Sequence, residues 1–310
     1  MIEIFYKTIP FFALIGLGYL AAITRFFSAE ATAYLTRFIF YFALSAMLFR
    51  FSSNLSLSEL YDPEFIYAYL FASLIIYFLA TAVAIFRKKV PSEAAVEAQC
   101  SVIGNVGFLG IPMLAILMGP KSVGFIMIIL AIDLIVFGSL IVLIIVASKD
   151  KKLDIFLFYR VLLGLMKNPM IVSIICGLLW SASGWSIPGP INDFIVMLGS
   201  AATPGALFAI GASLAQKSTE RFEVAAWLSF CKLVLHPFAV CIAVFYIFEV
   251  ELYAATVMIA AASLPVAGNI FMVAQHYNVA PKRASAAIFL STVLSIFTVS
   301  FTIAWVSNLN

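Results

Sequence analysis

Two windows of this 310-residue sequence collect residue types that an apolar helix normally avoids. The first reads Gly104-Asn105-Val106-Gly107-Phe108-Leu109-Gly110-Ile111-Pro112, the second Ala262-Ser263-Leu264-Pro265-Val266-Ala267-Gly268-Asn269. Pro removes a backbone donor and clashes with the preceding turn, while Gly tolerates the geometry this releases. A helix broken in this way exposes a new N-terminus, with unpaired N–H groups and the positive end of a dipole. Such an end suits an anion, for instance a carboxylate. Asn105 and Asn269 add amide donors and acceptors. The candidate substrate-binding residues are therefore Asn105, Gly107, Gly110, Pro112, Pro265, Gly268 and Asn269. The plainer alternative is that the prolines only kink helices and the glycines only allow close packing.

Three ionisable residues fall deep inside apolar stretches. Asp133 stands alone, and Lys232 and His236 share a helix face at i, i+4 spacing. A charge at the centre of a bilayer costs about 2.5–3.5 kcal/mol on insertion scales, so these side chains must face a cavity or partners. One reading makes them a coupling or charge-compensating cluster, with histidine as a pH-responsive element. The other is a structural Asp133–Lys232 pair with His236 hydrogen-bonded beside Pro237. No nucleophile–base set or phosphate loop accompanies them, so no catalytic residue is assigned and an enzyme is not expected. The four cysteines lie in apolar runs without CxxC spacing, which points to packing rather than a disulfide, metal or cofactor site. No basic–aromatic array suggests nucleic acid.

The elements that position these residues follow from composition. Hydrophobic residues make up 64% of the chain and charged residues 11%, against about 25% charged in a soluble domain. A bilayer core about 30 Å thick needs roughly 20 helical residues per crossing. Cutting at the polar breaks gives ten spans: 4–23, 33–51, 65–86, 97–117 and 122–147, then 169–185, 191–215, 224–248, 253–276 and 284–306. Arg25, Arg87, Lys88, Lys89, Lys149, Lys151, Lys152, Arg160, Lys167, Lys217, Arg221, Lys282 and Arg283 fall on one side of that arrangement. Glu3, Glu59, Asp62, Glu64, Asp193, Glu249 and Glu251 fall on the other. By the positive-inside rule the basic side is cytoplasmic and both termini face out. The expected fold is all-α and polytopic. Residues 1–148 and 169–310 form two five-helix repeats joined by a cytoplasmic segment, 149–168. An odd number of spans per half inverts the second half, and each window lies in the fourth helix of its half. Matched interruptions in inverted halves mark the binding site of a secondary transporter.

The same windows, together with Lys167-Asn168-Pro169, Ala202-Thr203-Pro204-Gly205 through Gly211, Tyr277-Asn278-Val279-Ala280-Pro281 and Ala287-Ile288-Phe289, carry a resemblance. The sequence resembles the auxin efflux carrier family, which includes plant PIN-FORMED carriers and bacterial malonate- or malate-type carriers. The resemblance covers essentially the whole chain. It implies a homodimer in a plasma membrane, the inner membrane of a bacterium, with spans 1, 2, 6 and 7 as scaffold. The remaining spans form a mobile transport domain that carries an organic anion by an elevator movement, with its broken helices crossing at Pro112 and Pro265. Asn105 matches the family's asparagine before the crossover proline. The long charged central loop of plant members is missing, and Val266-Ala267-Gly268-Asn269 differs from the plant pattern, so a small carboxylate fits better than auxin. Protons, sodium and the membrane potential stay open as driving forces. The alternative function is a cation–proton antiporter or sodium-coupled symporter of related crossed-helix fold, for which Asp133 would be the central carboxylate.

Overall fold

The structure is a computed structural model that describes residues 2–54, 62–150, 163, 166–215 and 222–309. Glu59, Lys151, Lys152, Arg160, Lys217 and Arg221 lie outside the described residues, as do the side chains of Glu3, Lys7 and Lys149 and most of the 149–168 segment. Among the described residues every regular element is a helix, apart from one isolated β-bridge.

In chain order the helices are α1 (Ile2–Ile23), α2 (Ala29–Ser53), α3 (Pro63–Phe86), α4 (Pro91–Val102), α5 (Val106–Met118) and α6 (Ser122–Ser148). There follow α7 (Pro169–Ser183), α8 (Gly189–Leu214), α9 (Phe222–Ile247), α10 (Leu252–Ala262), α11 (Asn269–His276) and α12 (Pro281–Val306). Local chemistry sets their starts. Asp62 accepts the Phe65 N–H at 3.1 Å and Asn168 accepts the Met170 N–H at 3.0 Å, each just before a proline in the first turn. A proline there loses only an N–H that has no intrahelical acceptor anyway. Among the described residues six helices, α2, α3, α6, α8, α9 and α12, are long and apolar enough to cross a membrane by length and composition. Their outward faces present Phe42, Phe78, Phe238 and Phe297, where a soluble protein would place charge.

Two groups of helices emerge from the packing. In the first, α1 lies on α8, and α2 lies on α7 and α8. Its crossings are so close that glycine is required. A Cβ on Gly211 would sit 1.8 Å from the Ile15 carbonyl oxygen, and one on Gly18 would sit 2.0 Å from that of Phe208. A Cβ on Gly177 would meet Ser52 Oγ at 2.0 Å where α7 crosses α2. Small residues let helix backbones touch in a membrane, where packing rather than water exclusion drives association. Gly211→Leu should therefore force α1 and α8 apart and cost about 3 kcal/mol or more. The check is the yield of monodisperse protein after detergent extraction, which should collapse; a normal yield would show that this crossing does not hold the fold.

The second group contains α3, α4, α6, α9, α10 and α12, in which α3 packs on α4 and α9, α6 on α4 and α10, and α12 on α9 and α10. Helix α5 touches α6 as well as α1 and α8. The four cysteines are free thiols, and Cys176 is exposed on α7 rather than packed inside.

Candidate functional site

The two Gly/Pro windows meet in the middle of the bundle. Helix α4 ends at Val102 and α10 ends at Ala262, and after one last helical hydrogen bond in each, from Ile103 and Ser263, the chain leaves the helix. Where the two segments cross, the Asn105 N–H donates to the Pro265 carbonyl at 2.7 Å and the Ala267 N–H donates to the Ile103 carbonyl at 3.1 Å. These bonds form an antiparallel bridge between Gly104 and Val266. Ser291 of α12 accepts the Val266 N–H at 3.1 Å. Backbone groups freed by a helix break at membrane depth need such partners, because lipid offers none. Gly104 keeps the crossing thin, since a Cβ there would lie 3.3 Å from Lys232 Cε and 3.4 Å from the Ala261 carbonyl oxygen.

The crossing point differs from the sequence expectation. It lies at Gly104 and Val266, not at Pro112, which is buried in the first turn of the Ile111–Met118 segment behind a π-helical turn, Val106–Gly110. A bridge needs extended backbone with a free N–H, and a helical proline supplies neither. Pro265 can take part because it contributes only its carbonyl.

A cavity of about 30 Å³ sits beside the bridge, lined by Asn105, Gly107, Asp133, Gly268 and Asn269, with Phe40, Met170 and Met272 among its apolar walls. Asn105 is 5% exposed. Its carbonyl accepts the Leu109 and Gly110 N–H groups at 3.1 and 2.9 Å, and among the described residues its side-chain amide has no hydrogen-bond partner. Among the described residues the Gly107 and Phe108 N–H groups have no backbone acceptor, as expected at a helix start. Asn269 opens α11 on the other side, with its Oδ1 buried and unpartnered. Four of the seven candidate binding residues, Asn105, Gly107, Gly268 and Asn269, thus share one cavity. The other three support it instead. Gly110 gives room to Leu264, whose Cδ1 would lie 2.7 Å from a Cβ there; Pro112 packs in α5, and Pro265 holds the bridge.

The deep ionisable residues form a connected array, in a different pattern from the direct pair that the sequence left open. Tyr69 of α3 donates its hydroxyl to Asp133 Oδ1 at 2.8 Å, while Oδ2 is buried without a partner. The Lys232 ammonium donates to the Ala262 carbonyl and lies 3.3 Å from His236 Nδ1. With the ammonium as donor, Nδ1 accepts, and the ring proton sits on Nε2, 3.0 Å from Ser73 Oγ. The His236 ring stands edge-on to Tyr69 at 5.9 Å. Lys232 therefore neutralises the negative end of the α10 dipole. Lys232 and His236 are fully buried and do not line the cavity; Asp133 does.

Sequence reasoning missed two sets of residues. Tyr69 and Ser73, at i, i+4 on α3, were visible only as polar residues in an apolar span. Glu97 was cut as the first residue of a span, whereas α4 begins at Pro91 and buries it completely. Its carboxylate pairs with Arg87 and with Arg283, the latter at 2.8 Å, and Arg283 also reaches Glu93 at 3.2 Å.

A lipid-facing helical bundle whose interior holds two crossed helix breaks around a small cavity, mostly apolar but edged by two asparagines and an aspartate, defines the class of integral membrane transporters. Within that class, the chain belongs to the membrane transport protein family, the auxin efflux carrier family, whose model matches residues 3–303. It is 30% identical over 303 residues to a protein of Rhizobium meliloti (strain 1021) described as "Putative malonate transporter", across 97% of this chain and 95% of that one. The family is one of membrane transporters, not enzymes.

Proposed function

We propose that the protein is a secondary transporter of a small organic anion, a carboxylate, which binds at the crossing of the two broken helices. The observation that carries this reading is the cavity lined by Asn105, with its unpaired amide, and by the starts of α5 and α11. Two helix starts aim positive dipole ends at one place, and the asparagines supply donors that fit carboxylate oxygens. The malonate description of the Rhizobium relative supports the same substrate class. The cavity has room for water but not for a carboxylate, so the site opens during the cycle.

The architecture that goes with this function has ten spans in two inverted five-helix repeats, 1–148 and 169–310, with both termini outside. Helices α4 and α5 together make the fourth span, and α10 and α11 the ninth. In this reading α1, α2, α7 and α8 are the scaffold of a homodimer, and the remaining helices move as an elevator. Packing within each of those groups is closer than the contacts of α1 and α8 with α12 that join them, which supports the division. So does an apolar gap of about 330 Å³ between Ile15 and Leu214 on one side and Phe289, Val293 and Ile296 of α12 on the other.

Asp133 on the cavity wall favours a second reading, a cation–proton antiporter or sodium-coupled symporter. Proteoliposome flux of malonate, other dicarboxylates, aromatic carboxylates and sodium separates the two under imposed pH, sodium and voltage gradients. We expect saturable carboxylate flux; sodium–proton exchange without it would replace the anion carrier by the antiporter.

A further inference from the structure

The protein's own charges around the crossing already balance. Helices α5 and α11 start there and α4 and α10 end there. Each start contributes about half a positive charge and each end about half a negative one. Lys232 adds one positive charge at the α10 end, and Asp133 adds one negative charge on the cavity wall. The total is close to zero. Among the described residues no lysine or arginine lines the cavity. A carboxylate that enters alone therefore leaves a net negative charge in a low-dielectric interior, which is strongly unfavourable.

One group at this site can remove that charge. Asp133 is faced by Tyr69 from α3 and by Lys232 and His236 from α9. Each donor around it has a partner other than Oδ2: the Tyr69 hydroxyl on Oδ1, the Lys232 ammonium on Ala262 and His236, the His236 Nε2–H on Ser73. Oδ2 is left buried with no donor, in a residue that is 3% exposed and lines the cavity. His236 could accept a proton only at Nδ1, against the ammonium beside it. Resting on the carboxylate-carrier reading, we propose that Asp133 takes up a proton at Oδ2 when the substrate carboxylate enters, so that one proton travels with each negative charge. The proton binds from the side to which the site is open, the new O–H donates to the substrate carboxylate, and both leave on the opposite side. A dicarboxylate would then move with two protons, the second carried on the substrate itself.

The test is carboxylate uptake by wild-type proteoliposomes with a pH-sensitive dye trapped inside, using malonate and a small monocarboxylate, with protein-free vesicles as control. Uptake should acidify the lumen by one proton per carboxylate charge. It should speed up as external pH falls, and change little with sodium or with the potential clamped at zero. Asp133→Asn keeps the shape and a donor without titrating. In whatever carboxylate flux it keeps, lumenal acidification should fall by one proton per molecule carried, to one for malonate and to none for the monocarboxylate. Carboxylate flux without lumenal acidification, or flux that requires sodium, would overturn proton coupling and leave the carrier reading intact. Absence of any carboxylate flux would sink the carrier reading, and this inference with it. Should Asp133→Asn not fold, the wild-type proton count decides alone.

Discussion

Asn105→Ala should lower carboxylate uptake by at least tenfold while the protein still folds. Asn105 is buried at the cavity and its side-chain amide makes no hydrogen bond among the described residues, so removing it leaves no partner stranded there. Its backbone duties survive the substitution: the N–H still donates to Pro265, and the carbonyl still accepts from Leu109 and Gly110. What disappears is a hydrogen bond to a charged ligand, worth about 1.5–3 kcal/mol, or roughly ten- to a hundredfold in affinity. The check pairs transport in proteoliposomes with the thermal midpoint in detergent. Unchanged uptake would remove Asn105 from the site, and a large drop in midpoint would make its role structural.

Glu97→Ala should have the opposite profile, a severe loss of stability without any direct effect on the cavity. Glu97 is fully buried, and Arg283, whose side chain is 8% exposed, pairs with it at 2.8 Å. Deleting one partner of a buried ion pair typically costs about 3–5 kcal/mol, because the remaining charge is left uncompensated. The cluster fastens the first turns of α4 to the start of α12 and to Arg87 after α3, so its loss loosens the helix that leads into the crossing. We expect little folded Glu97→Ala protein and an intermediate midpoint for Glu97→Gln. Replacing Glu97 and Arg283 together by methionine should recover part of the loss, since a well-packed apolar pair carries no desolvation cost. A wild-type midpoint for Glu97→Ala would rule out the clamp.

Much of the site was legible in the sequence, because glycine, proline, asparagine and charge conflict with an apolar helix and the conflict must have a reason. That argument found both helix breaks, Asn105 and Asn269 on the cavity, and the deep trio Asp133, Lys232 and His236. It did not find the point of crossing. Proline is the visible breaker, but the bridge is made by main-chain groups at residues 103–105 and 265–267, which carry no side-chain signature. The partner of Lys232 was hidden for the same reason, since it is the Ala262 carbonyl and not the carboxylate at Asp133. Tyr69 and Ser73 depend on how α3 is rotated against α6 and α9, which a single hydrophobic span does not reveal. Glu97 was lost by treating charge as a boundary, when a buried arginine on α12 and a half-buried one just after α3 let it enter the interior.

Because the crossing is tied together by backbone groups, its architecture and its selectivity are encoded in separate residues. Phe40, Met170 and Met272 shape the cavity wall from α2, α7 and α11 without contributing to the bridge. In the proposed carrier, substitutions at those three positions would change the accepted cargo while the backbone bridge stays whole. Related carriers can in this way diverge in diet through a few interior side chains, with the same skeleton inherited unchanged.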